Sequence, residues 1–237
     1  MRITLPCLSH AAAAITAALL VASSGAASAQ SNEEKRVTDS AAVLETLVRA
    51  PDQGLPEHIL SRAEAIVVIP SLVKGGFIVG AQHGRGVMSV RNRDTNTWSA
   101  PGFIALTGGS IGWQIGLQAV DLVLLVMNKD GVKDLLANEF KFGANASVAA
   151  GPVGRQGEAS TDASLSAQIL AYSRAKGLFA GLSLEGASLR IDKDANKDFY
   201  RAAISTDEMV RGVSKTTPAG SQWTATLARL IPAEPTR

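Results

Sequence analysis

Between residues 75 and 118 glycine recurs at a spacing that suits an extended chain and little else. From Gly108 to Gln118 the residues alternate, with Gly109, Ile111, Trp113, Ile115 and Leu117 in one set and Gly108, Ser110, Gly112, Gln114, Gly116 and Gln118 in the other. A period of two sends the sets to opposite faces of a β-strand, one apolar and one nearly bare. An earlier segment repeats the pattern: Gly76, Gly80 and Gly84 share one parity, and Phe77, Val79 and Ala81 the other. Glycine weakens a strand, so a row of it fits where a backbone or ligand must come close, or where a sheet bends sharply. The bare face around Gly108, Gly112 and Gly116 is therefore the first expected binding surface.

The surrounding pattern is strand-rich. Ala65–Ile69 is short and β-branched and should end at Pro70. Strands follow at Gly76–Gln82, Val87–Arg91, Ser99–Leu106, Ser110–Gln118 and Asp121–Met127, with a hairpin turn over Asn92–Thr97. Such short connections leave no room for crossover helices, so neighbours should pair antiparallel. Phe140–Ala150, Leu165–Ser173 and Gly177–Ile191 are further strands, and the last changes phase at Gly186, which predicts a bulge or break. Helical spacing appears over Thr38–Ala50 behind Asp39 and Ser40, from Pro56, from Asp130 to near Glu139, and over Asn196–Ile204, Asp207–Gly212 and Gln222–Leu230. Ser31–Arg36 reads as a loose polar stretch. The expected fold is α+β, a strongly bent antiparallel β-sheet or barrel-like core with flanking α-helices.

The first 29 residues stand apart. Arg2, an apolar run from Ala11 to Ala22 and the small residues Ala27-Ser28-Ala29 form the three-part pattern of a secretory signal peptide. The chain is thus expected to be exported, periplasmic or secreted, with a single mature domain over 30–237. The only cysteine, Cys7, lies in the removed part, so no disulfide, thiolate nucleophile or cysteine-bound metal is expected after cleavage. Loss of Arg2 takes the formal charge from +2 to +1, far from the basic excess of a nucleic-acid binder.

Motifs for catalysis and metal binding fail on context. Gly108-Gly109-Ser110-Ile111-Gly112 fits the nucleophile-elbow string, but Ser110 sits inside a strand pattern, and the mature histidines, His58 and His83, both precede it. Asp192, Asp194, Asn196 and Asp198 open like a calcium loop, yet Lys197 and Ala203 occupy its glycine and glutamate positions, so a polar turn capping the next helix is expected. Gly84-Arg85-Gly86 lacks the third glycine and the helix of a dinucleotide site. No catalytic residue, metal or cofactor is expected. Lys74, Arg85, Arg91, Arg93 and Lys176 lie at strand ends or turns beside the glycine strands, where they can face an anionic headgroup. Trp98 or Trp113 would supply an interfacial anchor.

Several of these segments together resemble the SYLF domain, a lipid-associated module, over about Ala41 to Arg211. The resemblance is carried by Ala65-Ile66-Val67-Val68-Ile69-Pro70, by Lys74-Gly75-Gly76-Phe77-Ile78-Val79-Gly80, by Trp98 to Phe103, by Gly112 to Met127, and by Lys176-Gly177-Leu178-Phe179-Ala180-Gly181 leading to Phe199-Tyr200. It implies binding to anionic membrane lipids, phosphoinositides in eukaryotic members, with actin association in yeast relatives and no enzymatic activity. The family's amphipathic N-terminal lipid-binding segment would correspond to the helix around Val43 to Val48. Actin is not an expected partner for an exported protein unless it enters a host cell. The competing expectation is a structural or interaction protein of the envelope whose glycine face packs another strand of the same or a neighbouring subunit.

Overall fold

The computed structural model describes residues 30–50, 54–137, 139–153, 167–175, 178–179, 183–205, 208 and 217–231, with backbone alone at 77–79, 110–116 and 178–179. Residues 31–237 form one compact unit. Helix α1 (Asn32–Val48) starts earlier than its apolar spacing suggests, because Ser31 and Glu34 make a reciprocal capping box. The stretch expected to be loose is its first turn. Helix α2 (Glu57–Leu60) follows Pro56, whose fixed φ suits a helix entry.

The sheet is built on two very long strands, β1 (Ala65–Asn92) and β3 (Gly102–Val126), joined through the short β2 (Thr97–Trp98). The expected run of separate short strands is thus corrected: Pro70 does not end a strand. It falls at a register shift between Ile69/Leu72, beside Ser71 at φ 55, whose N–H donates to the Asp121 carboxylate at 3.0 Å. A bulge is where a strand tolerates a residue without an N–H. The hairpin turn over Asn92–Thr97 forms as expected, with Asn92 paired to Thr97 and Asn96 at φ 53.

A straight strand of 28 residues would run about 90 Å, whereas a compact domain of this length has a radius of gyration of about 17 Å. The β1–β3 ribbon therefore doubles back. Its ends are flanked by other strands: β6 (Ile169–Ala175) pairs with residues 121–126 of β3, and β8 (Ser188–Ile191) with residues 104–107. Strands β4 (Phe140–Lys141), β5 (Val148–Ala150) and β7 (Leu178–Phe179) complete a curled eight-stranded sheet. It is mixed, because β5 runs parallel to β6. The phase change at Gly186 is a break, with that glycine in a turn at φ 76 ahead of β8. The remaining described helices are α3 (Lys129–Leu135), capped by Asn128 and shorter than expected, α4 (Lys193–Tyr200) and α5 (Pro218–Leu230). Positions 206–207 and 209–212 of the expected helix over Asp207–Gly212 lie outside the described residues.

The two faces of the sheet build two cores. The outer face, with Ile66, Val68, Val87, Phe103, Val123 and Leu125, is covered by Leu44 and Leu47 of α1 and by Trp223 and Leu227 of α5. The inner face, with Val67, Ile69, Leu72, Met88, Ile104 and Leu124, closes on itself around Phe140 and Leu189. Where the ribbon crosses its own start, a Cβ on Gly84 would lie 2.6 Å from Ile69 Cγ2 and 2.8 Å from Leu72 Cδ1, and one on Gly86 would land on the Val68 carbonyl oxygen. Only a residue with no side chain permits that crossing.

Candidate functional site: the bend of the ribbon

Along residues 72–83 of β1 and 108–120 of β3 the two strands pair only with each other among the described residues. Directly paired residues share a face. Gly76 with Gly116, Ile78 with Gly112, Gly80 with Ser110, Gln82 with Gly108 and Gly84 with Leu106 therefore line the inner face. Both glycine rows read from the sequence fall on this one side. A register shift between Gly76 and Ile78 absorbs two extra residues of β3 without changing that parity.

The inner face is not uniformly open. Gly108 packs on the segment leading into β8, since a Cβ there would stand 2.7 Å from both Cα and Cβ of Ala187. Beside it the Gln82 carboxamide is buried, with neither polar atom hydrogen-bonded among the described residues. At Gly84, Gly86 and Gly108 the missing side chains thus serve close packing of the protein against itself, in place of the ligand approach expected at Gly108.

The outer face is the open one. An apolar cavity of about 650 Å³ is lined, among the described residues, by Val73, Gly75, Gly76, Ala81, Gln82, His83 and Leu117. Val73, Gly75, Ala81, His83 and Leu117 all belong to the outward set. Leu117 is 85% exposed and Val73 46%, the two exposed large hydrophobic residues among those described. The face that helices cover at both ends of the ribbon is bare at its bend. A cavity of this size is in the range of ligand pockets, and its lining offers apolar contact with little hydrogen bonding.

Of the expected basic residues, Arg85 is exposed on this outward set, whereas half-buried Lys74, paired with Gln118, belongs to the inward set; neither makes an ion pair among the described residues. Lys176 lies outside the described residues, as does the side chain of Trp113. Gly112 and Gly116 are described as backbone only, in the strand.

Arg91 and Arg93 are placed elsewhere, at the hairpin end. The Arg91 guanidinium is buried, donating to Ser61 O at 2.8 Å and Asn96 Oδ1 at 2.6 and 3.0 Å, and it lies 5.4 Å over the Trp98 ring. Arg93 donates to Ser61 O and Ala63 O and pairs with Glu64 at 3.1 Å. Carbonyls just past α2 lack helical partners, and cations at such a terminus satisfy them. These arginines clamp the hairpin to the α2 turn, and Trp98 is part of the core beneath them. Separation of these roles from those of Lys74 and Arg85 depends on which loop each strand end meets, which local spacing does not encode.

The calcium-like aspartates have structural partners. Asp192 caps α4 through Ala195 N and pairs with Arg36, while buried Asn196 accepts from Phe103 N at 3.0 Å and donates to Phe103 O at 3.2 Å, imitating one rung of a β-ladder. No cluster of metal-ligating side chains occurs among the described residues. Ser110 lies within β3 and not at a strand-to-helix turn. The apolar residues of α1, Val37, Leu44 and Leu47, are buried in the core. Among the described residues no helix is long and apolar enough to cross a membrane.

The fold and cavity define an α+β module built on a doubled-back two-stranded ribbon. A family model described as Ysc84, Las17-binding protein actin regulator, matches residues 107–230. The chain is 38% identical over 173 residues to LAS seventeen-binding protein 3 of Saccharomyces cerevisiae, covering 71% of this chain and 37% of that protein. It is 35% identical over 190 residues to Protein YSC84 of the same yeast, covering 76% and 40%. Against SH3 domain-containing YSC84-like protein 1 of Homo sapiens it is 35% identical over 164 residues, covering 68% and 47%. The chain belongs to the Ysc84 (SYLF) family. It spans less than half the length of these relatives, one of which is named as a LAS seventeen-binding protein.

Proposed function

We propose that this chain is a non-enzymatic module that associates with anionic phospholipid membranes. The observation that carries the reading is the open apolar cavity at the ribbon bend, with exposed Arg85 further along the same outward set. Apolar side chains flanked by cations match an interface whose surface potential is negative. Lys176 and Trp113 belong to the same proposal through their place in the sequence; Gly112 and Gly116, expected with them, pair on the inward set behind the open face. Flotation of the protein with vesicles tests it: phosphatidylglycerol-containing vesicles should carry the protein upward and phosphatidylcholine vesicles should not, with binding weakened by added salt. Equal indifference to both vesicle types refutes it.

Export belongs to the same proposal. Its support is that Ser31, immediately after the expected first mature residue Gln30, caps α1 and opens the compact unit. N-terminal sequencing of the protein from its native host should begin at Gln30.

A second reading follows from the family's description, Las17-binding protein actin regulator, and from the name of one yeast relative. In it the unpaired ribbon docks a protein. Native mass spectrometry separates the two, since co-purified phospholipid supports the first and a lipid-free defined complex the second. Co-sedimentation with actin filaments tests the narrower version.

A further inference from the structure

Resting on the lipid reading, we propose that the chain meets an anionic bilayer with the outer face of the ribbon bend, Leu117 and Val73 entering the interface, and that helix α1 stays docked throughout. Three observations converge on this face.

Leu117 and Val73 are exposed although the same face is buried beneath helices toward both ends of the ribbon. Exposed aliphatic side chains clustered on one surface mark a contact site more often than chance exposure does. The ribbon is also free of acid where it bends: no Asp or Glu occurs from Ala65 to Asn92 or from Gly102 to Val120, while Arg85 stands exposed on the outward set and Lys74 sits on the inward set next to Val73. Such a surface is complementary to anionic lipid and suffers no like-charge repulsion there. Finally, the alternative face is occupied. To insert its apolar side, α1 would have to withdraw Val37, Leu44 and Leu47 from the core, together with the Arg36–Asp192 pair and the position of Arg36 5.4 Å over Phe103. The ribbon bend offers its apolar residues without any such withdrawal.

Cysteine labelling tests the assignment. In a Cys7→Ser background no native thiol remains, so Leu117→Cys and, as a control on exposed α4, Lys193→Cys each carry one polarity-sensitive fluorophore. With phosphatidylglycerol vesicles the label at 117 should shift to the blue and become resistant to an aqueous quencher, and the label at 193 should not. Leu117→Asp should lower vesicle affinity by about tenfold or more, the scale of losing one buried aliphatic side chain, with an unchanged melting temperature because the residue is exposed. A third label at Thr46→Cys on α1 should stay unshifted. If the protein floats but the label at 117 stays in water, or the label at 46 shifts instead, the assignment fails while the lipid reading stands. If the protein does not float, both fail.

Discussion

Replacing Gly86 by alanine tests the doubling back of the ribbon. Gly86 has no positive φ, so alanine fits its backbone and, by restricting the unfolded chain, would add about 0.4–1 kcal/mol were there room. There is none: the new Cβ would lie on the Val68 carbonyl oxygen, 2.8 Å from Ile69 Cγ1 and 2.9 Å from Ile69 Cα. Two of those atoms are backbone, so rotamer changes cannot relieve the overlap. Overpacking of this kind costs typically 1–3 kcal/mol, here toward the upper end. The net is a loss of about 2 kcal/mol, or roughly 4–8 °C in melting temperature for a domain of this size. Gly109 is the control, since its Cβ would meet nothing nearer than Gly80 O at 4.0 Å; Gly109→Ala should be neutral or slightly stabilising. Thermal and urea unfolding followed by tryptophan fluorescence reads both, through buried Trp223. A Gly86→Ala protein as stable as the parent would show that residues 84–86 do not lie on residues 68–72.

Asn196→Ala should lose about 1–3 kcal/mol, because it leaves the buried Phe103 N–H unpaired while Phe103 O keeps its bond from Asp192 N; urea unfolding measures it. Arg91→Met should cost about 1–2 kcal/mol by removing the buried guanidinium's bonds to Asn96 and to Ser61 O, which keeps its bond from Arg93, yet leave vesicle flotation unchanged, since its guanidinium faces the protein. Burial pushes both tyrosine phenols, Tyr172 and Tyr200, above their ordinary range. Their contribution is therefore complete below the unfolded value of about 10 and is lost as pH rises above it. Tyrosinate absorbance should accordingly appear together with alkaline unfolding, not before it.

Local pattern carried much of this fold. The period-two glycine rows, the Asn92–Thr97 hairpin and the break at Gly186 are all consequences of neighbours in sequence. The Ser31–Glu34 box was equally readable from its spacing, but the polar stretch around it masked a helix start. What the spacing did not contain was which elements meet. Pro70 ends a strand by local rules, yet Asp121, far along the chain, holds the bulge that lets β1 continue. Glycine alternation put both glycine rows on one face, as the strand pairing has them, but at Gly84, Gly86 and Gly108 that face packs on the protein's own chain. Leu117, on the apolar set, is the residue left in water. Arg91 and Arg93 matched Lys74 and Arg85 by composition and separated from them only through the carbonyls of the α2 turn.

Hydrogen–deuterium exchange with and without phosphatidylglycerol vesicles measures the membrane face directly. Slowed exchange confined to residues 72–84 and 107–120, with α1 unchanged, is the outcome expected of a ribbon that lies on the bilayer. Protection along α1 with the ribbon unaffected, or no vesicle-dependent protection anywhere, would contradict it.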